Sequence, residues 1–168
     1  EEIKSFFKIH KDIITKPLYG NGGEGINRSK DEKLTGIDID GEYLDMPIMA
    51  QKYIPEINEG DRRIIFFDGD YVGSVARIPS EGSIKANFHA GGLAKKTGLV
   101  FRDKQIIDKL GKELKKLDLF FVGIDIIGDY LTEINVTSPT GIKQINKLNN
   151  VKLEQVFWDK LEAKYKLV

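Results

Sequence analysis

Asp125, Glu133 and Asn135 have the types and spacing that could do chemistry. Glu133 and Asn135 are two apart and share a face if they lie on a strand. Asp125 joins them when an odd number of residues separates two paired strands, for instance across a three-residue turn at 128–130 that sets Asp125 opposite Glu133. Two carboxylates and an amide oxygen are the hard ligands magnesium takes, with phosphate oxygens and waters completing its shell. Spacing alone leaves another reading open, a hairpin whose polar face points to water. Arg63 and Arg77 form a second constellation. If the turn at Asp68-Gly69 takes three residues, 68–70, the odd positions of both strands share a face and both guanidiniums reach one anion, which their planar forks pair at two points. Alternating charge on a wet strand face competes with that reading.

Lys16 and Pro17 precede a third constellation, Gly20-Asn21-Gly22-Gly23-Glu24-Gly25. These letters match G-x-G-x-x-G, but the dinucleotide fingerprint needs a helix starting within the glycines, and Ile26 to Lys33 has no apolar helical stripe. A hairpin loop between strands 13–17 and 25–28 fits better. Its backbone N–H groups can fold over phosphates, or it is only a flexible turn. Lys16 either places an ammonium on phosphate oxygens or is a solvated edge lysine. His10 is a surface or boundary histidine rather than a catalyst.

The elements that must position these groups alternate between strand and helix patterns, an α+β chain. Ile3, Phe6 and Phe7 recur at helical spacing. Ile48 to Ile54 is an apolar strand ending at Pro55, and by residue type Tyr53 and Ile54 are core. Hairpins are expected at 61–77, joined at Asp68-Gly69, and at 120–135, joined near Gly128-Asp129-Tyr130. Residues 29–47 are turn-rich, with a weak strand near 37–39 or 43–44. Residues 79–92 form a long loop of the kind that serves as a lid. Asp103 is expected to cap a helix through Leu117, with Ile106, Ile107, Leu110, Leu114 and Leu117 inside. The last helix, 151–166, turns Val156, Phe157, Leu161 and Tyr165 inward.

Composition excludes several classes. The 168 residues carry 26 basic and 26 acidic side chains, so no global field favours nucleic acid or a membrane surface. Cysteine is absent, which removes disulfides, zinc thiolates and a thiol nucleophile. No apolar run approaches the roughly 18 residues of a membrane span, and the order of a signal peptide is missing. A cytoplasmic location is the expectation. The start EEIKSFF, without methionine, reads as a processed, trimmed or excised piece.

The stretch GIDIIGDYLTEINVTSPT resembles the metal-binding end of the bacterial glutathione synthetases, members of the ATP-grasp family. The blocks IITKPLYGNGGEGI, MAQKYIPEINEGDRR, ARIP and HAGGLA extend the resemblance over nearly the whole chain, in the family's order and with similar gaps. It implies the carboxy-terminal portion of an ATP-grasp fold, antiparallel or mixed sheets flanked by helices. Residues 1–50 would be a partial lid subdomain and residues 51–168 the large subdomain. It further implies Asp125, Glu133 and Asn135 as ligands of Mg2+, with Mn2+ as the alternative ion. Lys16, Gly20, Gly22, Gly23, Gln51, Lys52, Tyr53, Ile54 and Asp61 would lie on ATP. Arg77, Lys16 and Arg63 would steady the transferring phosphoryl group and the acyl phosphate, and Arg63, Arg77, Lys85, Asn87, Ser138 and Thr140 would hold substrate.

The implied reaction is ATP-dependent ligation of gamma-glutamylcysteine and glycine to glutathione through an acyl phosphate. Two departures stand out, Lys85 where the family more often has arginine and Ile142 where it usually has cysteine. Family enzymes also carry an amino-terminal substrate domain with no counterpart here, so the expected partner is that half, as fragment or subunit, in an oligomer. A non-catalytic binding or structural module, and a related carboxylate-amine ligase with another substrate, are the alternatives.

Overall fold

The computed structural model describes residues 2–19, 22–31 and 47–166, and the chain divides into two compact units, Glu1–Pro55 and Glu56–Val168. In the first, helix α1 (Glu2–His10) is followed by strands β1 (Ile13–Pro17), β2 (Asn27–Ser29) and β3 (Ile48–Lys52). They form an antiparallel sheet in the order β2-β1-β3. Phe7 of α1 and Ile13 of β1 are buried together, with Ile3, Phe6 and Ala50 packed around them. Strand alternation therefore sends Ile13 and Thr15 toward the helix, and Ile14 and Lys16 to the other face. β2 begins at Asn27, later than expected, because residues 22–25 are turn, with positive φ at Gly22, Gly23 and Gly25. Gly20 and the weak strand expected near 37–39 or 43–44 lie outside the described residues.

The second unit is built on an antiparallel five-stranded sheet in the order β6-β5-β4-β7-β8. Its strands are β4 (Asp61–Phe67), β5 (Asp70–Ile78), β6 (Leu93–Lys95), β7 (Phe121–Ile127) and β8 (Tyr130–Asn135). Helix α2 (Phe101–Lys116) covers one face, where Ile107 and Leu114 pack against Ile64, Phe66, Val122, Ile124 and Ile126. Helices α3 (Ile142–Asn149) and α4 (Leu153–Tyr165) cover the other, where Ile145, Leu153, Val156 and Phe157 meet Ile65, Phe67 and Val75. With both faces covered, the central strand β4 becomes apolar without alternation after its charged start. Each fully buried Ile or Phe contributes about 1.5–3 kcal/mol.

The two hairpins share one architecture. Phe67 pairs with Asp70 and Phe66 with Tyr71, after which the register skips Val72 so that Ile65 meets Gly73. Likewise Ile127 pairs with Tyr130 and Ile126 with Leu131, Thr132 is skipped, and Asp125 meets Glu133. Each turn therefore has two residues rather than three, and a bulge on the return strand supplies the odd residue.

Other elements differ from expectation. α2 starts at Phe101, so Asp103 is its third residue and not the cap; its carboxylate instead accepts the Val100 N–H at 3.1 Å. Leu117 follows the helix end and is exposed. Leu153 is the buried residue of α4, whereas Tyr165 faces outward. Neither β6 nor α3 was expected. Among the described residues no helix is long and apolar enough to cross a membrane.

Candidate functional site

Register places six polar side chains on one face of the five-stranded sheet. Asp61 and Arg63 alternate along β4, Arg77 of β5 stands opposite Asp61, and Asp125 of β7 stands opposite Arg63. Glu133 of β8 is opposite Asp125, and Asn135 is opposite Gly123. Paired residues share a face, so all six converge. This is the face that α3 and α4 cover further along. The charged end begins where that apolar cover stops, at Arg63 beside Val75.

Four of these side chains form a buried ion network. Asp125, 3% exposed, accepts the Arg63 fork at both oxygens, with Nη2 to Oδ2 at 2.8 Å, and pairs with Arg77 Nη2 at 2.8 Å. Arg77, 2% exposed, also holds both oxygens of Asp61 at 2.7 and 2.6 Å. Burial pushes the Asp61 carboxyl above the usual carboxylate range, against the pull of Arg77. At Asp125 burial also pushes upward, but hydrogen bonds and charge from Arg63 and Arg77 outweigh it and hold the carboxyl low. Arg77 is drawn down by burial and raised, on balance, by its two carboxylate partners.

Two glycines make room for Arg63. A Cβ at Gly123 would lie 3.3 Å from Arg63 Cδ, and one at Gly141 would lie 3.3 Å from Arg63 Cγ. Thus seated, Arg63 donates from Nη1 to the Thr140 carbonyl at 3.1 Å and ties the 138–141 loop to the cluster. Both Thr140 and Ser138 are exposed, and Ser138 has a φ of +48°.

The donor set favours a metal carried on phosphates over a bare ion. Among the described residues no three His, Cys, Asp or Glu side chains are grouped to hold a metal by themselves, so Asp125 and Glu133 need the Asn135 oxygen and outside ligands. The buried Asn135 Nδ2 has no hydrogen-bond partner, which leaves its amide less tied than its neighbours. Asp61, Asp125 and Glu133 exceed Arg63 and Arg77 by one negative charge, and both Asp125 oxygens already face guanidiniums. A magnesium nucleotide brings its own anionic oxygens for those guanidiniums, so the residues fit it.

On the loop after β5, Asn87 Oδ1 accepts the Ala90 N–H at 2.8 Å and caps a short 3-10 turn, Phe88–Ala90. Lys85 is half-buried, its backbone N–H donating to Ser83 Oγ at 3.0 Å. Phe88, which carried no signal in the sequence, packs with the α3/α4 core, and the Arg77 guanidinium lies 5.7 Å from its ring centre. Its place at the mouth of a charged cluster depends on pairings far apart in sequence.

Within the first unit, Lys16 and Gln51 share a face with Ile14, Arg28 and Met49, whereas Lys52 lies on the opposite face. Gly22 and Gly23 lie in the turn before β2. Tyr53 is buried and donates its backbone N–H to the Asp12 carbonyl at 3.0 Å, and Ile54 is half-buried. Arg28, another residue not singled out by the sequence, holds Asp12 at 2.9 and 2.7 Å and lies 3.3 Å over the Tyr53 ring.

Residues 1–150 match the family described as "Prokaryotic glutathione synthetase, ATP-grasp domain". The chain is similar to the glutathione synthetase of Mesorhizobium japonicum, 42% identical over 168 residues, which covers 98% of this chain and 54% of the relative. It is likewise 42% identical over 164 residues to that of Prochlorococcus marinus, covering 96% of this chain and 53% of the relative. The chain thus spans about half the length of the curated relatives it matches. Among solved structures, the ATP-grasp ligase PsnB complexed with minimal precursor, Mg and ADP matches with a TM-score of 0.65 at 16% identity, over 98% of this chain and 50% of that one. D-alanine–D-alanine ligase from Bacillus anthracis complexed with ATP matches at 0.66 and 15%, over 97% and 57%. At such identities the likeness shows the fold, an ATP-grasp arrangement of antiparallel sheets flanked by helices.

Proposed function

The chain belongs to the prokaryotic glutathione synthetase family of ATP-grasp domains, and from that premise we propose that it is the nucleotide- and metal-binding part of an ATP-dependent carboxylate-amine ligase that joins gamma-glutamylcysteine to glycine. The observation that carries the reading is the meeting of Asp61, Arg63, Arg77, Asp125, Glu133 and Asn135 on one sheet face. In this reading residues 1–50 act as part of the lid and residues 51–168 as the large subdomain.

Glu133, Asn135 and Asp125 hold magnesium, which when bound neutralises charge between phosphate oxygens. Arg77 and Arg63 offset negative charge on the phosphoryl group as it passes from ATP to the cysteinyl carboxylate, and later on the tetrahedral carbon formed when the amine of glycine attacks the acyl phosphate. The carboxylates of Asp61 and Asp125 hold both guanidiniums in place on the site face. Lys16 steadies phosphate oxygens beside Gly20, Gly22 and Gly23, while Gln51, Lys52, Tyr53 and Ile54 border the adenine and Asp61 faces the nucleotide. Lys85, Asn87, Ser138 and Thr140 hold the dipeptide. Because lysine offers a point charge in place of a fork, its effect falls on dipeptide affinity rather than reaction type. The loop 79–92 excludes water from the acyl phosphate.

The relatives' remaining half supplies the rest of the enclosure, and effective molarity is lost without it. The test measures phosphate and tripeptide with this chain alone, with the corresponding amino-terminal fragment alone, and with both. Magnesium- and glycine-dependent phosphate release only from the assembled pair is expected. No turnover from the pair despite nucleotide binding would make the chain a binding module, and release only with another amine would discard glycine as acceptor.

A further inference from the structure

Arg62 and Arg63 are neighbours in β4, so their side chains leave the sheet on opposite faces. Arg63 reaches Asp125 on the charged face. Arg62 emerges on the α2 side, where Nε and Nη2 hold both oxygens of Asp103 at 2.8 to 3.1 Å. Its Nη2 also donates to the carbonyl of Gly128 in the β7–β8 turn at 2.6 Å. Asp103 is fully buried at 0% exposure. The next carbonyl of the turn, that of Asp129, accepts Arg102 Nε at 3.2 Å. Both residues of a two-residue turn are thus held by arginines, one locked by Asp103 and one carried on α2.

We propose that Arg62, fixed by Asp103, is a positioning residue for magnesium–nucleotide binding: by holding the β7–β8 turn it keeps Glu133 and Asn135 on the face that carries Asp125. The proposal rests on the reading above that these three side chains hold the metal. Among the described residues β8 is an edge strand, paired only with β7. A slip of one residue would carry Glu133 and Asn135 to the opposite face. Burial holds the register less firmly here than in a core strand, because Leu131 and Ile134 remain 37% and 47% exposed. Polar contacts reinforce the choice, among them those to the two turn carbonyls and Thr132 Oγ1 donating to the Asp125 carbonyl at 3.1 Å across the bulge. Arginine is required at 62 because one planar group serves two carboxylate oxygens and a carbonyl together, which a lysine ammonium on its shorter reach cannot.

The test is calorimetric titration of this chain with ATP over a range of magnesium concentrations, alongside amide hydrogen exchange. Arg62→Lys, Asp103→Asn and Arg102→Ala are compared with wild type, and Glu133→Gln serves as the control for the metal assignment. The magnesium concentration for half-maximal ATP binding should rise on the order of tenfold in Arg62→Lys, the scale seen when residues that orient metal ligands are altered. Saturating magnesium should restore wild-type ATP affinity. Amides of 131–135 should exchange faster while those of β4 and α2 stay protected. Arg102→Ala, an exposed change that does not threaten folding, should shift both readouts in the same direction by a smaller factor.

Lower overall stability with unchanged magnesium curves and unchanged β8 exchange would overturn the proposal. Should Arg62→Lys or Asp103→Asn not fold, Arg102→Ala decides by the same two readouts. If Glu133→Gln matches wild type, the metal assignment fails instead, and β8 exchange still reports whether the turn anchor exists.

Discussion

A Cβ added at Gly123 would lie 2.7 Å from Pro139 Cβ, so this strand glycine is the floor on which the 138–141 loop rests. Arg63 Cδ and Nη1 close the same space at 3.3 and 3.4 Å. Gly123→Ala should therefore cost about 1–3 kcal/mol of stability by overpacking. It should also push the loop away from Arg63. Urea unfolding measures the cost, and a Gly123→Ala protein as stable as wild type would remove the packing claim.

Arg77 answers two carboxylates, and its removal leaves both buried without it. Arg77→Met should destabilise the second unit by about 3–5 kcal/mol, the usual cost of breaking a buried pair. The double change Arg77→Met with Asp61→Asn should recover part of that loss, because one stranded charge is gone. A double mutant that simply adds the two single losses would show that Asp61 and Arg77 are not coupled.

Acid should act on Asp61 and Asp125 in opposite senses. Asp125 is held below its ordinary value, so its contribution is complete above about pH 4 and is lost as pH falls through the lower folded value. Asp61 is raised, so the folded state takes up its proton before the unfolded chain does. Over that window falling pH favours the fold, and rising pH costs stability. Carboxyl carbon shifts should show Asp61 titrating above Asp125, and Asp61→Asn should lack the gain. The reverse titration order would refute the assignment.

The loop after β5 is anchored by Phe88 in the α3/α4 core and by the Asn87 cap. Phe88→Ala should raise the rate of tryptic cutting after Lys85 by about tenfold, since cleavage follows the population of the opened loop. Adding nucleotide and dipeptide should slow cutting in wild type. Cutting that ignores both the substitution and the ligands would rule out a lid pinned at Phe88.

The sequence allowed Asp125 to face Glu133, and Arg63 and Arg77 to point the same way, on condition that an odd number of residues separates the paired strands, because alternation fixes faces once two strands are paired. It placed the odd residue in the turns, whereas the structure places it at Val72 and Thr132. Nothing in DYV or YLT marks a bulge locally. Asp103 read as a cap since a helix start is a local pattern; its partner Arg62 is 41 residues away, and the pair exists only through tertiary packing. α3 escaped notice because eight residues with apolar positions at Ile142, Ile145 and Leu148 also suit a loop. β6 is three exposed residues made a strand by pairing with β5 alone. Family likeness implies roles that spacing left open, such as that proposed for Asp61 toward the nucleotide.

Thr132 contributes no ligand, yet it works as a spacer that sets a reading frame for the hairpin. Deleting it would carry the downstream residues back by one position, exchanging the site-facing row of Glu133 and Asn135 for Ile134 while leaving every one of those residues in the chain. Length variation at this point is therefore far less tolerable than substitution, and a frame-neutral pair of changes, one residue lost at the bulge and one gained at the turn, is the form in which such variation can be absorbed.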